Sequence, residues 1–477
     1  MSFSVSFDSI HVDTLLPKSK DDFMLLRYRI PVVFISVFFI VLFSIINGSI
    51  STFFSFLFFG IIGIAFSCFY GRIAIKLFTF IYAFAAIASI LFYYIFKIQY
   101  GIPYGSGGSD SLGYEQLAAI LKGGSWKYDS EEIGKLIDMP YHNSKGYIYL
   151  ISFLMRIADY FGGFHTMMPR LLNSSMLGMC SVLVYSICNK ISLSSKQAIN
   201  SALVTGLFPM MVYVSIQTFR DIPIAFMLLI SVSASISIIK TKAAVKRLFY
   251  TLLFAPIIII IMELRLLNTI NIALVFLVGW IVFIFSVKKL SNLHVLLFIF
   301  AIVLVYSSLS SIDLPLVIDL VGKLDSSSTD LSEGGDRASE GGLSLILFNL
   351  PIPIKIIASI LYSFITPLPI LYTKDLDWNF LSIGTIFQFV FIPFIFLGLK
   401  NTWRSRLMLP LLAMVLICYV GYVFGSFTFR HITYIVPFAA IYGVIGFDKY
   451  NKQRWIICQG MLGILGLLIF SYYLIKL

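Results

Sequence analysis

Charge is what this sequence has least of. Only 12% of its 477 residues are charged, and 23 are acidic. A soluble domain carries about a quarter of its residues charged. With 59% hydrophobic residues and a mean hydropathy of +0.94, that scarcity excludes a soluble globular chain. Cysteine is also sparse. Its five copies, Cys68, Cys180, Cys188, Cys418 and Cys458, lie in or beside apolar runs, with neither metal-site spacing nor a disulfide framework. No polar stretch is long enough to build a Rossmann unit, which excludes a nucleotide-sugar domain of that kind. No internal repeat is visible.

What is present is apolar length. Crossing a bilayer takes roughly 20 apolar residues. Such runs recur at 31–47, 50–69, 75–97, 170–189, 199–217, 221–239, 248–264, 266–286, 291–309, 378–399, 406–424, 431–447 and 455–475. They predict an all-α polytopic transmembrane bundle of about thirteen spans. Residues 1–30 are polar and too long for a signal n-region, so the first run is expected to be a retained helix.

The net charge of +12 has a topological cause. Arg72 and Lys76, Lys190 and Lys196, Lys240 to Arg247, Lys288 and Lys289, Lys400 to Arg406, and Lys449 to Arg454 all fall in one alternate set of loops. Asp448 is the only acid among them. Basic residues gather in cytoplasmic loops, so the N-terminal segment 1–30 is expected to be cytoplasmic. Nucleic acid is not needed to explain the charge.

The opposite face then receives two long loops, 98–169 and 310–377. Long loops in compact proteins are usually functional. In the first, the apolar piece 146–161 carries Arg156 and Asp159, and it is expected to lie on the membrane as an interfacial helix. In the second, prolines 351, 353, 367 and 369 bracket an apolar run. A re-entrant or interfacial hairpin near 344–373 is expected there. Residues 378–477 form a C-terminal group of spans.

Asp110 opens a helical pattern in SGGSDSLGYEQLAAILKGG. Ser109 or Asp110 can cap a helix over 111–122 that Gly123 stops. The carboxylate can also serve as a base, since it stands at the membrane–water boundary where partial desolvation strengthens it. Tyr114 lies one turn on, with Glu115 beside it. Arg220, Asp221, Glu263, Arg265, Arg430 and His431 fall at outer ends of spans. Snorkelling or local pairing accounts for any one of them. As a group they oppose the positive-inside bias, and a phosphate would supply the counter-charge that arginine holds bidentately. Lys145 reads equally as an interfacial anchor or a phosphate ligand. No metal site stands out, although a divalent ion shared by Asp110 and Asp221 stays open. His142 and the acids Asp129, Glu131 and Glu132 read as solvated.

GGSDSLGYEQLA resembles the first outer loop of the GT-C superfamily of glycosyltransferases, which use polyprenyl-phosphate-linked sugars. Asp110 matches the acid taken there to activate the acceptor. KGYIYLISFLMRIADYFGGFHTMMPRLLN resembles the continuation, with Arg170 as its arginine. FPMMVYVSIQTFRDIPIAFML resembles a later outer turn, with Asp221 as the second acid beside Arg220. The likeness covers residues 98–290, within a GT-C-like module spanning 31–309. The chain departs from it in having three runs before the acidic loop and no large C-terminal soluble domain. GSFTFRHITYIVPF is similar to the tails of bacterial polysaccharide-assembly proteins, among them Wzy-type O-antigen polymerases.

The resemblance implies an inverting enzyme with Asp110 and Asp221 as catalytic carboxylates. Tyr114, Glu115, Lys145, Arg170, Arg220, Arg265, Arg430 and His431 are then substrate-binding. The expected partners are a polyprenyl-phosphate-linked glycan donor, a glycan or lipid-linked acceptor, and membrane lipids. No organic cofactor is expected. A lipid-linked oligosaccharide flippase is the rival expectation.

Overall fold

The computed structural model describes residues 28–105, 109–123, 144–286, 294–299, 301–303, isolated positions from 351 to 369, 376–425 and 429–476. Every regular element among them is helical. In chain order these are α1 (Arg29–Ile46), α2 (Ile50–Cys68), α3 (Arg72–Tyr100), α4 (Ser109–Gly123), α5 (Lys145–Asp159) and α6 (Met167–Lys190). There follow α7 (Ser195–Leu207), α8 (Pro209–Ser215), α9 (Asp221–Lys240), α10 (Ala244–Leu252), α11 (Phe254–Leu264) and α12 (Leu267–Ile284). The last are α13 (Leu376–Thr402), α14 (Leu409–Gly425), α15 (Phe429–Ile432), α16 (Val436–Lys449) and α17 (Arg454–Lys476).

Among the described residues nine helices are long and apolar enough to cross a membrane, or ten if the bent pair α7–α8 is one span. The protein is therefore an integral membrane protein. The described residues do not confirm the expected count of about thirteen. The run 406–424 yields a shorter apolar helix, and 291–309 is described only in part, as His294–Val303. The run 431–447 is broken between α15 and α16, where Pro437 stands in the first turn of α16 and cannot donate to a continuing helix. The expected hairpin near 344–373 lies almost entirely outside the described residues.

α6 is the hub. It packs against α2, α3, α7 and α9, and 89% of its most apolar stretch is buried. α4 and α5 pair beside it. α5 buries Tyr147, Ile148, Ile151, Leu154, Met155 and Ala158, a helical stripe too short to span a bilayer. Lys122 and Asp159 (2.6 Å) join the far ends of α4 and α5.

α7 and α8 meet at a 52° bend. Phe208 is extended there because Pro209 follows it, and Pro209 restarts the helix. α13 and α16 form the most extensively packed pair. They touch through glycines: a carbon added at Gly398 runs into the Tyr442 carbonyl, and one at Gly446 into the Phe394 carbonyl. Small residues let membrane helices approach this closely. Gly446→Val is therefore expected to destabilise the folded chain by about 3 kcal/mol through overpacking. Thermal unfolding in detergent measures it, and an unchanged unfolding temperature contradicts the crossing.

Candidate functional site

Five chain segments deliver charged or hydroxyl groups to one end of the bundle. Asp110 stands in the first turn of α4, where a carboxylate favours the helix dipole. Ser144 precedes α5. The bent α7–α8 pair ends in residues 216–220, which lead to Asp221 in the first turn of α9. Arg265 lies in the break between α11 and α12. Arg430 and His431 lie in α15, with Tyr434 just beyond it.

Arg430 makes an ion pair with Asp110 and stacks over the Phe219 ring at 4.6 Å. Burial opposes the Arg430 charge, but Asp221 and then Asp110 outweigh it, and its pKa rises. Tyr434 donates its hydroxyl proton to Asp221 Oδ1. Arg265 Nη1 donates in turn to the Tyr434 oxygen at 3.0 Å and lies against His431 Nε2. The His431 and Tyr434 rings stack at 5.7 Å. Arg220 Nη1 donates to Ser144 Oγ and to the Leu264 carbonyl (3.2 Å). Ser144 Oγ also meets the Tyr114 hydroxyl at 3.4 Å.

A second network adjoins the first. The Glu115 carboxylate accepts from Tyr104 (2.7 Å), Thr166 (2.7 Å) and Thr218 (2.6 Å). Arg170 stacks over the Tyr104 ring at 5.6 Å and donates to the Pro103 carbonyl. Tyr104 is pushed up from its ordinary pKa, first by burial and then by Glu115, so it remains a neutral donor. One turn along α6, Asn173 Nδ2 donates to the carbonyls of Gln217 and Phe219, both at 2.8 Å. That bond holds the 216–220 segment in place.

Asp110, Tyr114, Arg220, Asp221, Arg265, Arg430 and His431, expected as site residues, thus converge. Asp110 and Arg430 keep 30% and 24% of their side chains exposed, whereas Asp221 is only 4% exposed. Of these two carboxylates the accessible one is therefore Asp110. Asp221 is a buried anchor for Tyr434 and the arginines. Glu115 and Arg170 are 6% and 0% exposed and sit beneath the cluster, where they hold protein groups. Lys145 begins α5 beside Ser144 but is not drawn into either network. His142, Asp129, Glu131 and Glu132 lie outside the described residues.

Tyr104, Ser144, Thr166, Thr218 and Tyr434 were not legible as partners. Only Tyr434, one turn after Arg430, had a signal in its spacing. Among the described residues no group of three or more His, Cys, Asp or Glu side chains could hold a metal ion. A cation shared by Asp110 and Asp221 would have to compete with Arg430 at the first and with the Tyr434 hydroxyl at the second.

An apolar cavity of about 270 Å³ lies between α7, α13, α14 and α16. Ile432, Ile435 and Val436 line it, with Phe391, Ile395 and Leu399 opposite. The segment 430–436 therefore has two sides. Arg430, His431 and Tyr434 enter the charged cluster, and Ile432, Ile435 and Val436 face the cavity. No protein-family model matches the chain, and no curated protein does.

His165 sits between the Phe43 and Tyr93 rings (5.3 and 5.6 Å) and accepts the Met167 amide at 3.1 Å. Burial first, then Arg170 and Lys97, lowers its pKa from 6.5 to about 4. The folded chain thus keeps this ring neutral while the unfolded chain takes up a proton below 6.5. Its contribution to stability is full above pH 6.5 and is lost as pH falls toward 4. His165→Gln keeps an acceptor without titrating, so its unfolding temperature is expected to fall less between pH 7 and pH 4 than the parent's. Equal slopes contradict this.

Proposed function

We propose that this chain is a membrane glycosyltransferase of the bacterial inner membrane. It uses polyprenyl-(pyro)phosphate-linked sugar or oligosaccharide donors at the outer face. Its place is in O-antigen-like surface polysaccharide assembly, as a repeat-unit polymerase.

One observation carries the reading. The segment 430–436 turns cationic and phenolic groups toward an acid–arginine cluster and aliphatic groups toward an apolar cavity. A ligand matching both sides is amphiphilic, with an anionic head and a long hydrocarbon tail. Arginines recognise phosphate bidentately and keep their charge when buried. The basic loops lie at the other ends of the spans, which is the arrangement of an outward-facing site.

The reaction follows from these groups. The acceptor hydroxyl gives its proton to Asp110 as its oxygen bonds to the anomeric carbon. The bond from that carbon to the phosphate oxygen breaks, and the electron pair leaves with the phosphate. Arg430 and Arg265 hold the charge that grows on the departing phosphate. Asp221, through Tyr434, keeps Arg265 aimed at that point. A flippase would need its charges at mid-bilayer depth. Here they stand at helix ends, which favours the enzyme.

Lipid-linked glycans from cells lacking the chain provide the test. Loss of a polymerase leaves one repeat unit on the carrier, and Asp110→Asn is expected to do the same, with turnover down at least about 100-fold. Normal long glycan with Asp110→Asn refutes the assignment. Ala439→Phe, which fills the cavity, is expected to raise KM for long-chain donors several-fold and to spare short-chain analogues. Equal effects on both would remove the tail from the account.

A further inference from the structure

Glu115 has the chemistry of a site residue but none of its availability. Its two oxygens accept three hydroxyls, from Tyr104, Thr166 and Thr218 at 2.6 to 2.7 Å. Those donors belong to three separate segments: the turn after α3, the residue before α6, and the 216–220 segment that leads into Asp221. Arg170 balances the carboxylate across the Tyr104 ring. A carboxylate so fully satisfied and so buried does not meet substrate. Hydrogen bonds to a charged group are among the stronger ones a protein makes, about 1.5–3 kcal/mol each.

Glu115 lies on α4 five residues after Asp110, so the two are fixed to one rigid helix. α4 is a helix of 15 residues. Among the described residues its orientation rests on its pairing with α5, including Lys122–Asp159, on the Asp110–Arg430 pair and on what Glu115 grips. The other half of the Asp110 ion pair comes from α15, in a distant part of the chain. Fixing α4 against α6 and the 216–220 segment fixes Asp110 against Arg430, because Phe219 of that segment lies under the Arg430 guanidinium.

We propose that Glu115 is a positioning residue: the three-hydroxyl clamp sets the rotation and depth of α4 and thereby holds Asp110 in register with Arg430. Its effect on turnover rests on the proposed role of Asp110. Its effect on geometry does not.

The test uses the full chain in membranes, with Cys68 and Cys458 changed to Ser and with Asp110→Cys and Arg430→Cys introduced. A short bis-methanethiosulfonate reagent reports their proximity, and mass spectrometry reads the linked fraction. The fraction is expected to be high with Glu115 intact and to fall several-fold with Glu115→Ala. Thr166→Val with Thr218→Val leaves the carboxylate but removes two of its donors. This pair is expected to lower linking too, and it carries the test if Glu115→Ala does not fold. Linking at the parent level in a folded variant overturns the proposal.

In the turnover arm, Glu115→Gln is expected to lower kcat with donor KM unchanged, and to add nothing in an Asp110→Asn background. A further loss in that background also overturns it. Full activity of Asp110→Asn with normal loss of linking would sink the catalytic reading and leave the clamp standing.

Discussion

The Asp110–Arg430 ion pair is the constraint on which the charged end depends. It joins the first helix after the third span to a short helix near the end of the chain. A few charges must share a low-dielectric setting, where removing one partner of a buried pair costs several kcal/mol. Each acid in the cluster therefore has a cationic or hydroxyl partner, and the pairing dictates which helix ends meet. The α7–α8 bend and the break before α16 serve that need. Both are set by proline, and the second takes Arg430, His431 and Tyr434 off a continuous helix into the cluster.

The two networks share one design. In each, an arginine lies against a tyrosine whose hydroxyl donates to a carboxylate: Arg265, Tyr434 and Asp221 in the upper one, Arg170, Tyr104 and Glu115 in the lower. The phenol separates the opposite charges without leaving either uncompensated. A neutral spacer keeps the arginine's remaining donors from being consumed by the acid. For a site proposed to bind phosphate, that spacing matters more than the number of arginines. The lower unit, beneath the surface and tied to three segments, holds up the upper one.

Much of this was legible in the sequence. Apolar length gave the all-helical membrane class, because lipid admits few alternatives. Asp110, Asp221, Arg220, Arg265, Arg430 and His431 stood out as charges at helix ends, and they do converge. The α4 helix was expected at 111–122 and is found at Ser109–Gly123, with Gly123 as its last residue. What could not be read was direction. Glu115 and Arg170 looked like ligand-binding groups because a sequence does not tell whether a charge points into a site or beneath it. Tyr104, Thr166 and Thr218 are ordinary residues until the fold brings their hydroxyls to one carboxylate. The break at 433–435 was hidden in a run whose hydropathy alone suits a continuous span.

The central claim is that the acid–arginine cluster opens to the exterior water layer. A cysteine at position 110, in the otherwise intact chain with Cys68 and Cys458 replaced, can be challenged in whole cells with a membrane-impermeant maleimide. The account predicts labelling from outside, protected by added polyprenyl phosphate. Labelling that appears only after the cells are opened would contradict it.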